Sequence, residues 1–354
     1  MITILADENI AHLDDYFCHD NTTLIKLKGR EINQSAIDRH NPIALLIRSV
    51  TPINADTMTN PNNIKFIGSA TIGTDHVDNE FIQKHHIHFA NAKGSSKHSV
   101  AQYVITALLS KFPNLIHKKI TLGIIGLGNI GATLAKYAKD LNWDILGYDP
   151  YLPTSDINNA NFNELLANSD IISIHTPLTK TGDYPTYQLF NHSVFEQLKN
   201  HAILINTARG EIIRQDDLLW AIENKNLNVI LDVFPFEPTI DKTLLDNLTL
   251  ATPHIAGYTL DGKLRGTDMI YQAFCEHFNL PVLKNMDKLL PPNHYHWQTL
   301  KNELLNGNTD ILKSYYGILK DDNELRHICT NNVHGADFDK LRKDYNLKRE
   351  WLYD

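Results

Sequence analysis

Three short segments carry an arginine, a glutamate and a histidine that together could move a proton beside a bound carboxylate. Arg209 lies in INTARGE, Asp232 and Glu237 in LDVFPFEP, and His254 in ATPHIAGY. An imidazole titrates near neutrality, so it can take or give a proton at working pH. A carboxylate held against the far ring nitrogen would orient it and favour its charged form. A guanidinium presents a planar fork of donors that matches a carboxylate. Read singly, Arg209 and Glu237 are an ordinary ion pair, and His254 is one histidine among 18. Each follows a short apolar run, however, and strand ends are where a doubly wound sheet places its ligand.

A second constellation stands upstream. GLGNIG at 126–131 directly follows the apolar run TLGII and opens the helical stretch GATLAKYAKDL. In that context Gly126 allows a tight turn, Gly128 admits a pyrophosphate close to the backbone, and Gly131 lets helix and strand close up. The helix N-terminus at Asn129 and Ile130 adds unpaired N–H groups and a partial positive charge. Asp149 ends the next apolar run, 18 residues beyond Gly131. A carboxylate there can accept from both hydroxyls of an adenosine ribose and would repel a 2′-phosphate, so NAD is expected rather than NADP.

These residues need elements to position them. The runs ITILAD, LIKL, ALLIRS, IKFIGSA and IHFANA read as buried strands of a first α/β unit ending near residue 93. Residues 97–111 predict one amphipathic helix with Val100, Val104, Ala107 and Leu108 on its apolar face, stopped by Pro113. TLGIIGLG, DILGYD, IISIHTP, AILINTA, NVILDVF and LTLATPHIA then supply six strands alternating with helical stretches. A further helix is expected within 258–283, and the charged, aromatic-bearing tail beyond lacks this rhythm. The expected fold is α/β, with two doubly wound parallel-sheet domains and a small C-terminal module. Residues 1–93 with 258–285 form the first domain, 94–257 the Rossmann domain, and 286–354 the module.

Composition excludes several classes. The chain has 354 residues, of which 42% are hydrophobic and 21% charged, so it can fill packed cores. A net charge of −8 without a basic run disfavours nucleic acid and anionic membranes. Cys18, Cys275 and Cys329 form no CxxC pair and suit a reducing cytosol. No apolar run reaches transmembrane length, and the acidic start MITILADENI does not read as a signal peptide, so a cytoplasmic location is expected. His86 and His88 in KHHIHF share a strand face on this reading, but no further ligand clusters beside them and no metal site is expected. Asp7 and Glu8 read as a loop or cap rather than a catalytic pair.

At the INTARGE, FPFEP and PHIAGY segments the chain resembles the D-2-hydroxyacid dehydrogenase family. The resemblance implies transfer of a hydride from C2 of a 2-hydroxy acid to NAD, with a flavodoxin-like substrate domain beside the Rossmann domain. It further implies that Arg209 and Glu237 are catalytic and His254 is the proton donor. HIAGYTLDGKLRGT at 254–267, IRSVT at 47–51, GSATIGTDHVD at 68–78 and HTPLTKTGDYPTY at 175–187 narrow it to one branch. That branch takes a small phosphorylated 2-hydroxy acid, serves vitamin B6 synthesis and dimerises through its C-terminal module, so a homodimer is expected. Carried over by position, Ser49, Thr71 and Tyr258 contact substrate, and Asp149, Thr176, Asp232 and Gly257 contact NAD. Arg48 is a further candidate for the substrate's phosphate or carboxylate, its alternative being a salt bridge. Gln102 departs from the pattern, standing where relatives usually carry an acid. The same triad would also serve glyoxylate, hydroxypyruvate or 3-phosphoglycerate.

Overall fold

Five of the short apolar runs pair side by side in one parallel sheet. They are β1 (Ile2–Asp7), β2 (Thr22–Leu27), β3 (Ala44–Ile47), β4 (Phe66–Ser69) and β5 (His88–Asn91), in the order β2-β1-β3-β4-β5. The structure, a computed structural model, describes residues 1–18, 21–329 and 332–353. Every residue of β3 and β4 is buried, which is why those runs read as continuous rather than alternating. The strand order is flavodoxin-like and reverses between β1 and β3, which puts Asp7 and Arg48 at the switch point. Leu260–His277 forms one helix, capped by the Thr259 hydroxyl accepting from the Gly262 N–H, and packs on this sheet. Its Leu264, Ile270, Tyr271 and Phe274 complete the core, and Tyr16 donates to its Asp268 at 2.8 Å.

Six further strands make a second parallel sheet. They are β6 (Thr121–Ile125), β7 (Asp144–Tyr148), β8 (Ile171–Ile174), β9 (Ile203–Asn206), β10 (Asn228–Leu231) and, past the short β11 (Ile240–Asp241), β12 (Leu250–Ala251). Their order is β12-β10-β9-β8-β6-β7, with the reversal between β6 and β8. The chain divides into two units, Met1–Ser96 with Thr259–Pro292, and Lys97–Tyr258 with the C-terminal segment from Asn293.

The helix Lys97–Lys111 has the predicted bounds but not the predicted single face. Every residue from Ser99 to Leu109 is buried. The C-terminal segment supplies the second cover. The Gln102 amide donates to Tyr137 at 2.8 Å and to the Trp351 carbonyl at 3.0 Å, while its oxygen accepts from the Trp351 N–H at 2.9 Å. A carboxylate at 102 could accept but not make the two donations. Ser99 donates to Glu350 at 2.6 Å, and the Trp297 and Trp351 rings stack at 5.5 Å. The tail without visible rhythm is thus largely helical, with Trp297–Leu305, Leu312–Tyr315, Ile318–Ile328 and Gly335–Lys343, and β13 (Asn332–Val333) pairs antiparallel with β11.

His86 and His88 do not share a strand face. His86 sits in the turn before β5 with φ of 53°, and only His88 enters the strand, where it stacks on Phe66 and lies 4.8 Å from the His277 ring. Among the described residues no three potential metal ligands gather, and no helix is long and apolar enough to cross a membrane.

Trp351→Ala should lower stability by about 3–5 kcal/mol, the usual effect of truncating a buried aromatic. A urea titration reads this as an earlier midpoint, and an unchanged midpoint would mean that the tail does not clamp the Lys97–Lys111 helix.

Candidate active site

The ends of β10 and β12 build the catalytic corner, and a buried carboxylate joins them. Asp232, just after β10, accepts from the Thr252 hydroxyl at 2.6 Å, the Ile255 N–H at 2.8 Å and the Ala256 N–H at 2.9 Å. The His254 N–H donates to the Asp232 carbonyl at 2.8 Å. Together these hold His254 in the left-handed region at φ of 54°, a conformation few side chains adopt unaided. Burial pushes the Asp232 carboxyl upward against the pull of His254 and these donors.

Glu237 completes the arrangement. One of its oxygens accepts from the Phe234 N–H at 2.7 Å, and the other lies 2.7 Å from His254 Nδ1. Burial pushes this carboxyl up, but the His254 charge, the two hydrogen bonds and Arg342 more than offset it, so its net direction is down. An ionised carboxylate can only accept, so the proton between them belongs on Nδ1 and Nε2 is left as the basic atom.

Arg209 follows β9 in extended conformation, immediately before the Gly210–Ile212 turn. The buried Asn206 fixes it there, donating to the Arg209 carbonyl at 2.8 Å and accepting from the Ala208 N–H at 2.9 Å. Gly210 is required because a Cβ would collide with the Phe234 carbonyl carbon. That close approach seats the arginine segment on the segment leading to Glu237.

The glycine turn after β6 and the ends of β7 and β8 carry the residues expected to face a nucleotide. Gly126 has φ of 88° and packs where a Cβ would lie 2.8 Å from the His175 carbonyl carbon; a Cβ at Gly131 would collide with the Gly126 carbonyl oxygen. A Cβ at Gly128 would meet nothing within 4 Å, so that space is left open for a ligand. Gly128 begins the helix Asn129–Asp140, whose first turn, with Asn129, Ile130 and Gly131, has no side-chain cap. Asp149 follows β7 and is aimed by the Leu127 N–H at 2.9 Å and the Tyr151 N–H at 3.1 Å. The Thr176 hydroxyl is buried with no partner among the described residues, a donor and acceptor awaiting a ligand. Gly257 and Tyr258 follow the His254 segment, and Tyr258 turns back through its N–H to the Ile255 carbonyl at 2.8 Å.

In the other unit, Arg48 donates from Nε to the buried Asp7 at 2.9 Å. Ser49 is exposed, and the Thr71 hydroxyl lies 2.8 Å from that of Ser69.

Sequence reasoning missed four contributors. Asp7 caps its loop as expected, one oxygen accepting from the Asn9 N–H at 2.9 Å, but its other oxygen is also a buried counter-ion to Arg48. Asn206 positions Arg209. His175, within Ser173 (2.8 Å) and Thr207 (3.5 Å), is pushed down to about 3 by burial and stays neutral beside Thr176. Arg342, 84 residues from Tyr258, donates to its hydroxyl at 2.9 Å. Only Asn206 carried a local signal, standing in the apolar run that leads to Arg209.

Residues 99–256 match the sequence profile described as D-isomer specific 2-hydroxyacid dehydrogenase, NAD binding domain. The erythronate-4-phosphate dehydrogenase of Psychrobacter cryohalolentis is 49% identical, covering 99% of this chain and 97% of its own. That of Acinetobacter baumannii is 43% identical, over 98% and 97%. Among solved structures, Rhodotorula graminis D-mandelate dehydrogenase aligns with a TM-score of 0.67 at 21% identity, covering 80% of this chain and 97% of its own. NAD+-bound 3-phosphoglycerate dehydrogenase of Entamoeba histolytica aligns at 0.66 and 22%, over 78% and 95%. These likenesses share the fold.

Fold and site together define an NAD-dependent dehydrogenase of the D-2-hydroxyacid class. NAD fits the residues present: the open Gly128 turn, the uncapped helix start, Asp149 and the orphaned Thr176 hydroxyl. The chain belongs to the erythronate-4-phosphate dehydrogenase family.

His254→Ala should slow turnover about 10²–10⁴-fold, the usual worth of positioned acid–base help, while leaving NADH binding intact. NADH fluorescence titration beside steady-state rates checks both halves. Loss of NADH affinity in parallel with rate would instead assign His254 to the cofactor.

Proposed function

We propose that this chain oxidises 4-phospho-D-erythronate at C2 to 2-oxo-3-hydroxy-4-phosphobutanoate, a step of pyridoxal phosphate (vitamin B6) synthesis. The observation that carries the reading is the 2.7 Å Glu237–His254 hydrogen bond, in a chain aligned end to end with relatives of that name.

With Nδ1–H held by Glu237, His254 takes the substrate hydroxyl proton on Nε2, and the resulting imidazolium is stabilised by the carboxylate it already touches. Arg209 pairs its fork of donors with the substrate carboxylate and so fixes the C2 face presented for reaction. NAD, when bound, accepts the hydride that leaves C2. In the reverse direction protonated His254 returns its proton to the keto oxygen.

The cofactor is held by Gly126, Gly128, Asn129, Ile130, Gly131 and Asp149, with Thr176, Asp232 and Gly257 completing its contacts. Arg48, Ser49, Thr71 and Tyr258 contact the substrate. Asp7 supports the role of Arg48 by fixing Nε and leaving its terminal nitrogens to a ligand. The chain works as a cytoplasmic homodimer on this reading, and its three free thiols suit a reducing compartment.

Purified protein supplied with 4-phosphoerythronate and NAD should generate NADH absorbance, alone or with an added 2-oxo acid as terminal oxidant, and 3-phosphoglycerate should not. Turnover of another 2-hydroxy acid with silence on 4-phosphoerythronate would overturn the substrate and leave the triad standing.

A further inference from the structure

The C-terminal helix Gly335–Lys343 is fastened to the segment that carries Glu237. Its entry strand β13 pairs Val333 with Ile240, and Gly335 packs where a Cβ would lie 2.9 Å from Pro238. Phe338 is fully buried beneath it. This anchoring brings Arg342 to Tyr258: Nη2 donates to the Tyr258 hydroxyl at 2.9 Å, and the guanidinium lies 5.5 Å from the Tyr258 ring and 5.7 Å from Phe338. Cation–π contacts at these distances hold a guanidinium in place without neutralising it.

Its hydrogen bonding is incomplete. Arg342 Nε is buried with no partner among the described residues. Asp339 on the same helix stands 3.9 Å from Nη1, beyond hydrogen-bond range. The side chain is 24% exposed, so an anion can reach it. A buried cationic donor without an acceptor is costly unless a ligand supplies one.

Charge accounting on the proposed substrate points the same way. Its phosphate carries roughly −1.5 to −2 at neutral pH, in addition to the carboxylate. Arg209 serves the carboxylate. The charge of Arg48 is matched by Asp7, buried at 2.9 Å. Glu237 adds a further negative charge. Asp7 offsets the charge of Arg48 even where its terminal nitrogens reach the ligand, so a phosphate of this charge calls for a further cation, which Arg342 can supply.

We propose that Arg342, aimed by Tyr258 and Phe338, binds the phosphate of the substrate and thereby sets the preference for phosphorylated over plain 2-hydroxy acids. This rests on the substrate class proposed above. The tail is on this account part of the specificity machinery, and Tyr258 acts partly by holding the arginine.

The test compares Arg342→Gln and Arg342→Lys with the parent enzyme on 4-phosphoerythronate and on unphosphorylated D-erythronate, NADH binding serving as the check on folding. The ratio of the two kcat/KM values should fall at least about thirtyfold in Arg342→Gln, as when one partner of a hydrogen-bonded charge pair is removed. Arg342→Lys should recover part of it, because charge returns without the fork. Inhibition by inorganic phosphate should weaken in the same order. An unchanged ratio, whether both rates fall together or neither moves, overturns the proposal and reduces Arg342 to a support for Tyr258 and Glu237. If the parent enzyme prefers another acid, the substrate reading has failed. Phosphate inhibition measured on that acid then decides Arg342 by itself: weakened in Arg342→Gln it stands, unchanged it falls.

Discussion

The buried carboxylate of Asp232 is the constraint on which the site depends. It ties the end of β10 to the segment after β12 through three donors, Thr252, Ile255 and Ala256. Those bonds offset the cost of a left-handed histidine, about 1–2 kcal/mol for an L-residue, and of burying the carboxylate itself. The outcome is an imidazole whose backbone is fixed before any ligand arrives. Catalysis gains from such preparation because no reorganisation is needed at the moment of proton transfer.

Two acids a few residues apart thus do different work because their surroundings differ. Asp232 is enclosed, is pushed up by burial and spends its oxygens on backbone and hydroxyl donors. Glu237 is partly open, is held down by the histidine and the cations near it, and stays ionised against Nδ1. The first shapes the loop and the second selects the tautomer. On the nucleotide side the same division holds between Gly126 and Gly131, which the fold itself requires, and Gly128, which packing leaves open.

Strand positions, the glycine turn and the Arg209, Glu237 and His254 segments were legible because each signal is local. An apolar run, a turn and the polar residue after it stand together in the chain. The unread features are long-range. Asp7 gains its meaning from Arg48, 41 residues on, and the Lys97–Lys111 helix is buried all round because Trp351, 249 residues from Gln102, covers its second face. Hydrophobic periodicity reports one partner surface and cannot count two. The tail's helices are short and charged, and the apolar residues they bury meet a surface made elsewhere in the chain. Arg342 was invisible for the same reason.

The central claim is that Glu237 holds His254 with its proton on Nδ1, so that Nε2 is the base. Single-turnover hydride transfer in Glu237→Gln tests it directly. Glutamine keeps the size and a hydrogen bond but can donate as well as accept, so it no longer selects the tautomer. The account predicts a fall of about 10³–10⁴-fold in the transfer step, as replacing a triad carboxylate by its amide produces, with NADH affinity unchanged. A transfer rate within a few fold of the parent enzyme would contradict it.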